Sequence, residues 1–212
     1  SFRAWPDQPV DLDVKKVASA TNNNLEMTAY DFTSQAGIRL RLFTVHRTGL
    51  EQAELIMVHA QSQPDWHDFL VFYENAFGST DVLSDETIPK EAIGDIPDFN
   101  RFQEAAEKGD VIWAYIAPRG VGRTAWNQDP RKQIQHQRRF YLLGQSLQGM
   151  QIFDVRRGIQ SLRVLPDCKG SKLYLGGMGE MAGVAVYAGL FEQPDHIGIS
   201  QIPEEYTDGP PL

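Results

Sequence analysis

The chain has 212 residues and a mass of 23.9 kDa, enough for one α/β domain with a sizeable core and too little for two independent ones. A net charge of -8 and a pI near 5.1 oppose binding to nucleic acid or an anionic membrane surface. Nor does any stretch approach the ~18 uninterrupted apolar residues of a membrane-spanning helix. Hydrophobic residues at 42% and charged residues at 23% fit a chain that folds around a core. The one cysteine, Cys168, excludes an intrachain disulfide and has no zinc-ligand spacing around it; no cofactor or metal is expected.

Residues 1–24 read as an irregular arm that ends in the turn-forming tract Thr21-Asn22-Asn23-Asn24. The start, Ser1 to Pro6, has neither an initiating methionine nor a signal-peptide apolar region, which is compatible with a processed or trimmed beginning. Segments 25–33 and 38–46 alternate in polarity around Gln35-Ala36-Gly37 and predict an antiparallel hairpin at a sheet edge. Segment 54–60 is apolar without alternation, as expected of a strand covered on both faces.

A helix is predicted from Asp65, with Trp66, Phe69, Leu70, Tyr73 and Phe77 on one face. Residues 78–97 form an acidic, Pro-containing excursion before a short helix over 99–108 that Gly109 stops. A second buried strand over 110–117 runs into Pro118-Arg119-Gly120-Val121-Gly122-Arg123-Thr124-Ala125-Trp126. Helix follows over 130–164, broken near Gly144 or Gly149, then strands over 172–175 and 196–202 flank an apolar helix over 181–190. This alternation from residue 54 onward predicts a three-layer α/β/α sandwich with a mostly parallel sheet, in a single domain over 25–202 with an irregular tail over 203–212.

The glycine-rich turn Gly176-Gly177-Met178-Gly179-Glu180-Met181-Ala182-Gly183 joins the third buried strand to its helix. A strand-turn-helix of this shape is where an esterase or peptidase holds its nucleophile, yet the apex residue, Gly179, has no side chain. Glu180 is the nearest ionisable group, and the helix dipole would lower its pKa and suit it to a cap-like role. Gly177-x-Gly179-x-x-Ala182 also fits a loose dinucleotide-binding pattern. That reading is disfavoured, because Glu180 would put a negative charge beside the pyrophosphate and Ser200, not an acid, lies where the ribose ligand should be.

His59, Gln61 and Ser62 lie where a buried strand ends, the side on which α/β sheets collect functional groups. Arg119 and Arg123 can clamp a carboxylate or anchor their own loop, with Asp154 as an architectural partner. Ser62, Ser146 and Ser200 lack an elbow, and His196 begins the last strand instead of following it, so no seryl triad is assembled.

The ordered set Ala117 to Trp126, Gln137 to Met150, Phe153 to Gln160 and Gly179 to Gly183 resembles bacterial α/β-hydrolase domains related to acetyl xylan esterases, over about residues 50–202. The resemblance implies an α/β-hydrolase sheet with a serine at the elbow apex, an acid after a later strand and a histidine after the last. Gly179 matches the serine position, and the other two members have no counterpart in this chain. The N–H of Glu180 and one from Gln61 or Ser62 would match the oxyanion donors. The reading that follows is a non-catalytic or incomplete hydrolase-like domain, with His59, Gln61, Ser62, Arg119, Arg123, Gly179 and Glu180 as candidate contacts to a small ester, carbohydrate or carboxylate. Alternatives are an esterase using Glu180, His59 or Ser62, and a structural or partner-binding module. An oligomeric partner or a C-terminal segment is expected to cover the last strand's edge, and the resemblance favours a secreted or periplasmic location.

Overall fold

The computed structural model describes residues 5–6, 10–78, 80–94, 98–126 and 129–202. Strands β1 (Lys15–Asn22), β2 (Leu25–Gln35) and β3 (Ile38–Arg47) form an antiparallel meander. The hairpin of the second and third was legible in sequence, and Gly37 turns between them with φ 77°, but its expected place at the sheet edge is corrected, because β1 lies outside β2 and β3 pairs with a later strand. The expectation of an irregular arm up to residue 24 is corrected, because β1 pairs along its length with β2. The turn-forming tract Thr21-Asn22-Asn23-Asn24 does form the β1–β2 turn, where Asn23 takes φ 50°. The predicted tail over 203–212 lies outside the described residues.

From β4 (Leu55–Ala60) onward the chain alternates: α1 (Gln63–Phe77), α2 (Phe99–Lys108), β5 (Val111–Ile116), α3 (Pro130–Leu142), α4 (Leu147–Arg163), β6 (Lys172–Met178), α5 (Glu180–Glu192) and β7 (His196–Ser200). The strands join in the order β1-β2-β3-β5-β4-β6-β7. β3 meets β5 antiparallel, whereas β5, β4, β6 and β7 run parallel. The sheet is thus mixed, with a parallel half that carries the strand-end loops.

Two apolar layers enclose it. Ile56, Val58, Ile112, Ile116, Leu173 and Leu175 pack with Ile152, Val155, Ile159 of α4 and Val184, Ala185 of α5. On the opposite face Leu25, Met27, Phe43 and Val45 pack under Trp66, Phe69, Leu70 and Tyr73 of α1. Each large side chain buried in this way contributes about 1.5–3 kcal/mol from its apolar area. The second layer covers the antiparallel half and draws no residue from β4, β6 or β7, so the expectation that those strands are covered on both faces is corrected. In β4, Ile56, Val58 and Ala60 are buried, while Leu55, Met57 and His59 on the other face are only partly so.

A buried ion pair joins the layers. Arg119 donates from Nε and Nη2 to Asp154 of α4, each at 2.7 Å, and its backbone N–H donates to the same carboxylate at 2.9 Å. Ser34 donates to Asp154 from β2, and Arg119 also reaches Gln35. Because Asp154 is fully buried, its charge is tolerable only with these donors in place.

Candidate functional site

β6 ends, and α5 begins, in a sharp turn whose apex is Gly179, with φ 55° and ψ -123°. This is a region that side-chain-bearing residues enter only under strain. Two residues earlier, a Cβ on Gly177 would lie 2.3 Å from the Met181 carbonyl oxygen and 2.8 Å from the Ala185 Cβ. The turn therefore demands a hydrogen at 177. At 179 the situation is reversed: a Cβ would meet nothing within 4 Å. The turn has the tight strand-to-helix backbone that a nucleophile elbow requires, with a glycine at its apex and open space where a side chain could stand.

Beside this turn a cleft of about 550 Å³ opens over the uncovered face of β4, β5, β6 and β7. Its floor is His59, Trp113, Tyr115, Tyr174, Gly176 and Gly198. Phe69, Phe72, Tyr73 and Phe102 form the wall from α1 and α2, and Gln61, Asp65, Gly177, Met178 and Ser200 lie toward the strand ends. Strand register explains the floor, since His59 stands opposite Tyr115 on one side and Gly176 on the other. Its ring stacks on Tyr115 at 5.3 Å and on Trp113 at 6.0 Å. Gly198 is small because Tyr174 lies over it; a Cβ there would fall 1.4 Å from the phenol oxygen.

The electrostatics of the cleft are those of a dry aromatic surface. Burial lowers the pKa of His59 to about 4 against a smaller opposing pull from Asp65, so the ring is neutral at pH 7. Burial raises the pKa of Tyr115 to about 12 and lifts that of Tyr73 well above the ordinary tyrosine range, and their hydroxyls bond at 2.8 Å. His59 Nε2 and Trp113 Nε1 are buried without a hydrogen-bond partner among the described residues. A polar atom left so costs about 1–3 kcal/mol, which a ligand group able to bond to it would recover.

The sequence-predicted residues separate into three groups. His59 and Gln61 line the cleft, and Gly179 and Glu180 follow directly on Gly177 and Met178 at its rim. The pKa expected for Glu180 is corrected: burial of the carboxyl, with Asp65 adding, raises it. The residue's surface is exposed, so water limits that rise.

Ser62 is structural. Its Oγ donates to Asp65 at 2.6 Å and accepts from the Asp65 N–H, forming the capping box that starts α1. Its own N–H donates to Asp65, and the Gln61 N–H donates to the Ile116 carbonyl at 3.0 Å. Both are thereby spent as oxyanion donors. The Glu180 N–H remains at the first turn of α5, where no intrahelical acceptor exists.

The two arginines face elsewhere. Arg119 is held by Asp154, and Arg123 lines a separate cavity of about 260 Å³ with Arg41, Asp31 and Glu86, near Asp31 at 3.8 Å and Asp85 at 3.9 Å. Sequence reasoning missed Asp65 as the charge shared by His59 and Glu180, and missed the aromatic floor. The alternate positions Trp113 and Tyr115, beside Met57 and His59, were the available signal for that floor. Among the described residues no three His, Cys, Asp or Glu side chains converge as a metal site, and no helix is long and apolar enough to cross a membrane.

Comparison of the sequence with family models and with curated proteins gave no match. Solved structures do match the fold. A putative acetyl xylan esterase from Bacteroides fragilis aligns with a TM-score of 0.65 at 8% identity, over 89% of this chain and 46% of its own. Acetyl xylan esterase 1 from a Thermoanaerobacterium species aligns at 0.55 and 12% identity, over 86% and 50%. A glucuronoyl esterase from Solibacter usitatus aligns at 0.54 and 12%, over 87% and 50%. The fold is that of the α/β-hydrolases, and the chain spans about half the length of the solved structures it matches.

Proposed function

We propose that this chain is a non-catalytic α/β-hydrolase-like domain whose cleft binds a small ester- or carbohydrate-containing ligand. Gly179 carries the reading: at the apex of an intact elbow it supplies neither a nucleophilic oxygen nor a proton to transfer. The remaining groups do not substitute for it. Ser62 is committed to the α1 cap, and among the described residues no side chain hydrogen-bonds to Glu180 to orient it as a base.

Ligand class follows from the floor. Trp113, Tyr115 and Tyr174 offer flat apolar faces suited to the CH-rich face of a sugar or an acyl group, while Trp113 Nε1 can donate to a carbonyl or hydroxyl oxygen. The structural neighbours named as acetyl xylan and glucuronoyl esterases make acylated sugars the first ligands to test.

The test is titration of the purified protein with acetylated xylo-oligosaccharides, followed by calorimetry, alongside a hydrolysis assay on the same compounds. Saturable binding without product release is expected, and Trp113→Ala should weaken it at least about tenfold through lost stacking and hydrogen bonding. Hydrolysis well above buffer, abolished by a substitution in the cleft, would contradict the reading.

A further inference from the structure

Every full charge that lines the cleft is negative. Asp65 and Asp68 of α1 belong to its lining, and among the described residues there it has no Lys or Arg. Asp65 accepts from the Ser62 hydroxyl at 2.6 Å, and Asp68 accepts from the backbone N–H groups of Ile93 at 2.6 Å and Gly94 at 3.0 Å. These donors are neutral, so both carboxylates keep their charge. The arginines after β5 do not compensate, because Arg119 is bound to Asp154 and Arg123 lines the separate cavity with Asp31.

The positions at which backbone would attract an anion are also taken. A helix N-terminus favours negative charge through its free N–H groups and its dipole. Two such ends meet the cleft, and each carries its own carboxylate in the first turn, Asp65 in α1 and Glu180 in α5. The field of Asp65 reaches both floor and rim: it opposes the burial-driven fall in the His59 pKa and adds to the burial-driven rise in that of Glu180. What the floor offers a ligand is neutral, namely the unpartnered Nε1–H of Trp113, the ring of His59, and Tyr115 and Tyr174.

We propose that the cleft selects uncharged ligands, holding an ester or a hydroxyl-bearing sugar and rejecting the carboxylate of the corresponding acid. The inference rests on the reading of the cleft as a site for a small ester or carbohydrate, and it removes the carboxylate from the ligands considered for His59, Arg119 and Glu180. A carboxylate on the floor gives up its hydration for neutral donors alone, and it meets two like charges across an aromatic surround that screens them poorly. An ester of the same acid has no net charge to be repelled and still presents a carbonyl oxygen to the Trp113 N–H.

The experiment titrates the protein by calorimetry at neutral pH with a xylo-oligosaccharide bearing one uronic acid, prepared as its methyl ester, its primary amide and its free carboxylate. The amide matches the carboxylate in shape and differs from it in charge. Ester and amide should bind comparably, and the carboxylate at least about tenfold more weakly. Added salt should narrow that ratio. Asp68→Asn, which leaves the α1 cap in place, should narrow it at least about threefold, and Asp65→Asn should act in the same direction. Should either variant fail to fold, the wild-type ratio and its salt dependence decide. Carboxylate binding as tight as the amide's, or a ratio that neither salt nor Asp68→Asn changes, would overturn the proposal and leave the ligand reading of the cleft standing. Saturation by none of the three forms would overturn that reading, and the proposal with it.

Discussion

At the β1 end the sheet is fastened by charge. Lys15 and Lys16 point outward from the edge strand and pair with Asp13 and Glu26, the β1–β2 register slips between Lys16 and Ala18, and Arg41 bridges Asp31 and Asp85 behind them. At the β7 end the last strand carries no Lys, Arg or Pro and pairs with β6 without a bulge, its isoleucines are exposed, and the glycine turn stands beside an aromatic cleft; the ion pairs there, Glu192 with Arg156 and Arg163, fasten the end of α5 to α4 and not the strand. The difference separates what holds this fold from what it presents. The buried apolar clusters fill the antiparallel half and the layer beneath α4 and α5, and they leave the other face of the parallel half open as the cleft.

The largest expected effect breaks the fastened side. Asp154→Ala strands the Arg119 guanidinium, which is only 7% exposed, and should cost about 3–5 kcal/mol in chemical denaturation. Should the variant unfold at the wild-type midpoint, the ion pair does not organise the two layers.

Acid titration probes the cleft side next. His59 takes up its proton near 6.5 when unfolded and near 4 when folded, so the unfolded chain is the better proton binder between those values. Its contribution is therefore intact above pH 6.5 and is lost as pH falls toward 4, by at most about 3 kcal/mol. His59→Phe should remove that component from the pH dependence of stability. An unchanged profile in the variant would mean that the ring is not desolvated.

A smaller loss is expected at the elbow. Gly179→Ser places a side chain at φ 55° and should cost about 1–3 kcal/mol in strain, with no steric penalty because the space is open. It should not produce turnover, since the described residues supply no histidine within the elbow to take the serine proton. Rapid ester hydrolysis by this variant would show that a base is in place after all. The smallest effect belongs to the open edge, where Ile197→Lys should change the stability of the 212-residue chain by no more than about 0.5 kcal/mol.

Much of this contrast was legible in the sequence. The polar alternation of β2 and β3, the unbroken apolar runs of β4 and β5, and Gly109 after α2 each have a local physical cause, and the elements appear where that cause placed them. The elbow was legible for the same reason, because a turn this tight requires glycine where Gly177 meets Met181. What could not be read was relative placement. Arg119 and Arg123 are four positions apart on one loop, yet one turns into the core toward Asp154 and the other toward Asp31. That divergence depends on α4 and β2, which lie far away in sequence. β1 was missed because its outward residues are polar and its pairing is set by β2, and the aromatic cleft was missed because it is lined from β4, β5, β6, α1 and α2 together.

The central claim, that an elbow with Gly179 at its apex recognises a ligand without reacting with it, is tested most directly by mass spectrometry of the protein incubated with an activated acetyl ester at neutral pH. The account predicts an unmodified protein and ester loss at the buffer rate. An acetyl adduct on a cleft residue that forms and decays with turnover, and disappears when that residue is replaced, would contradict it.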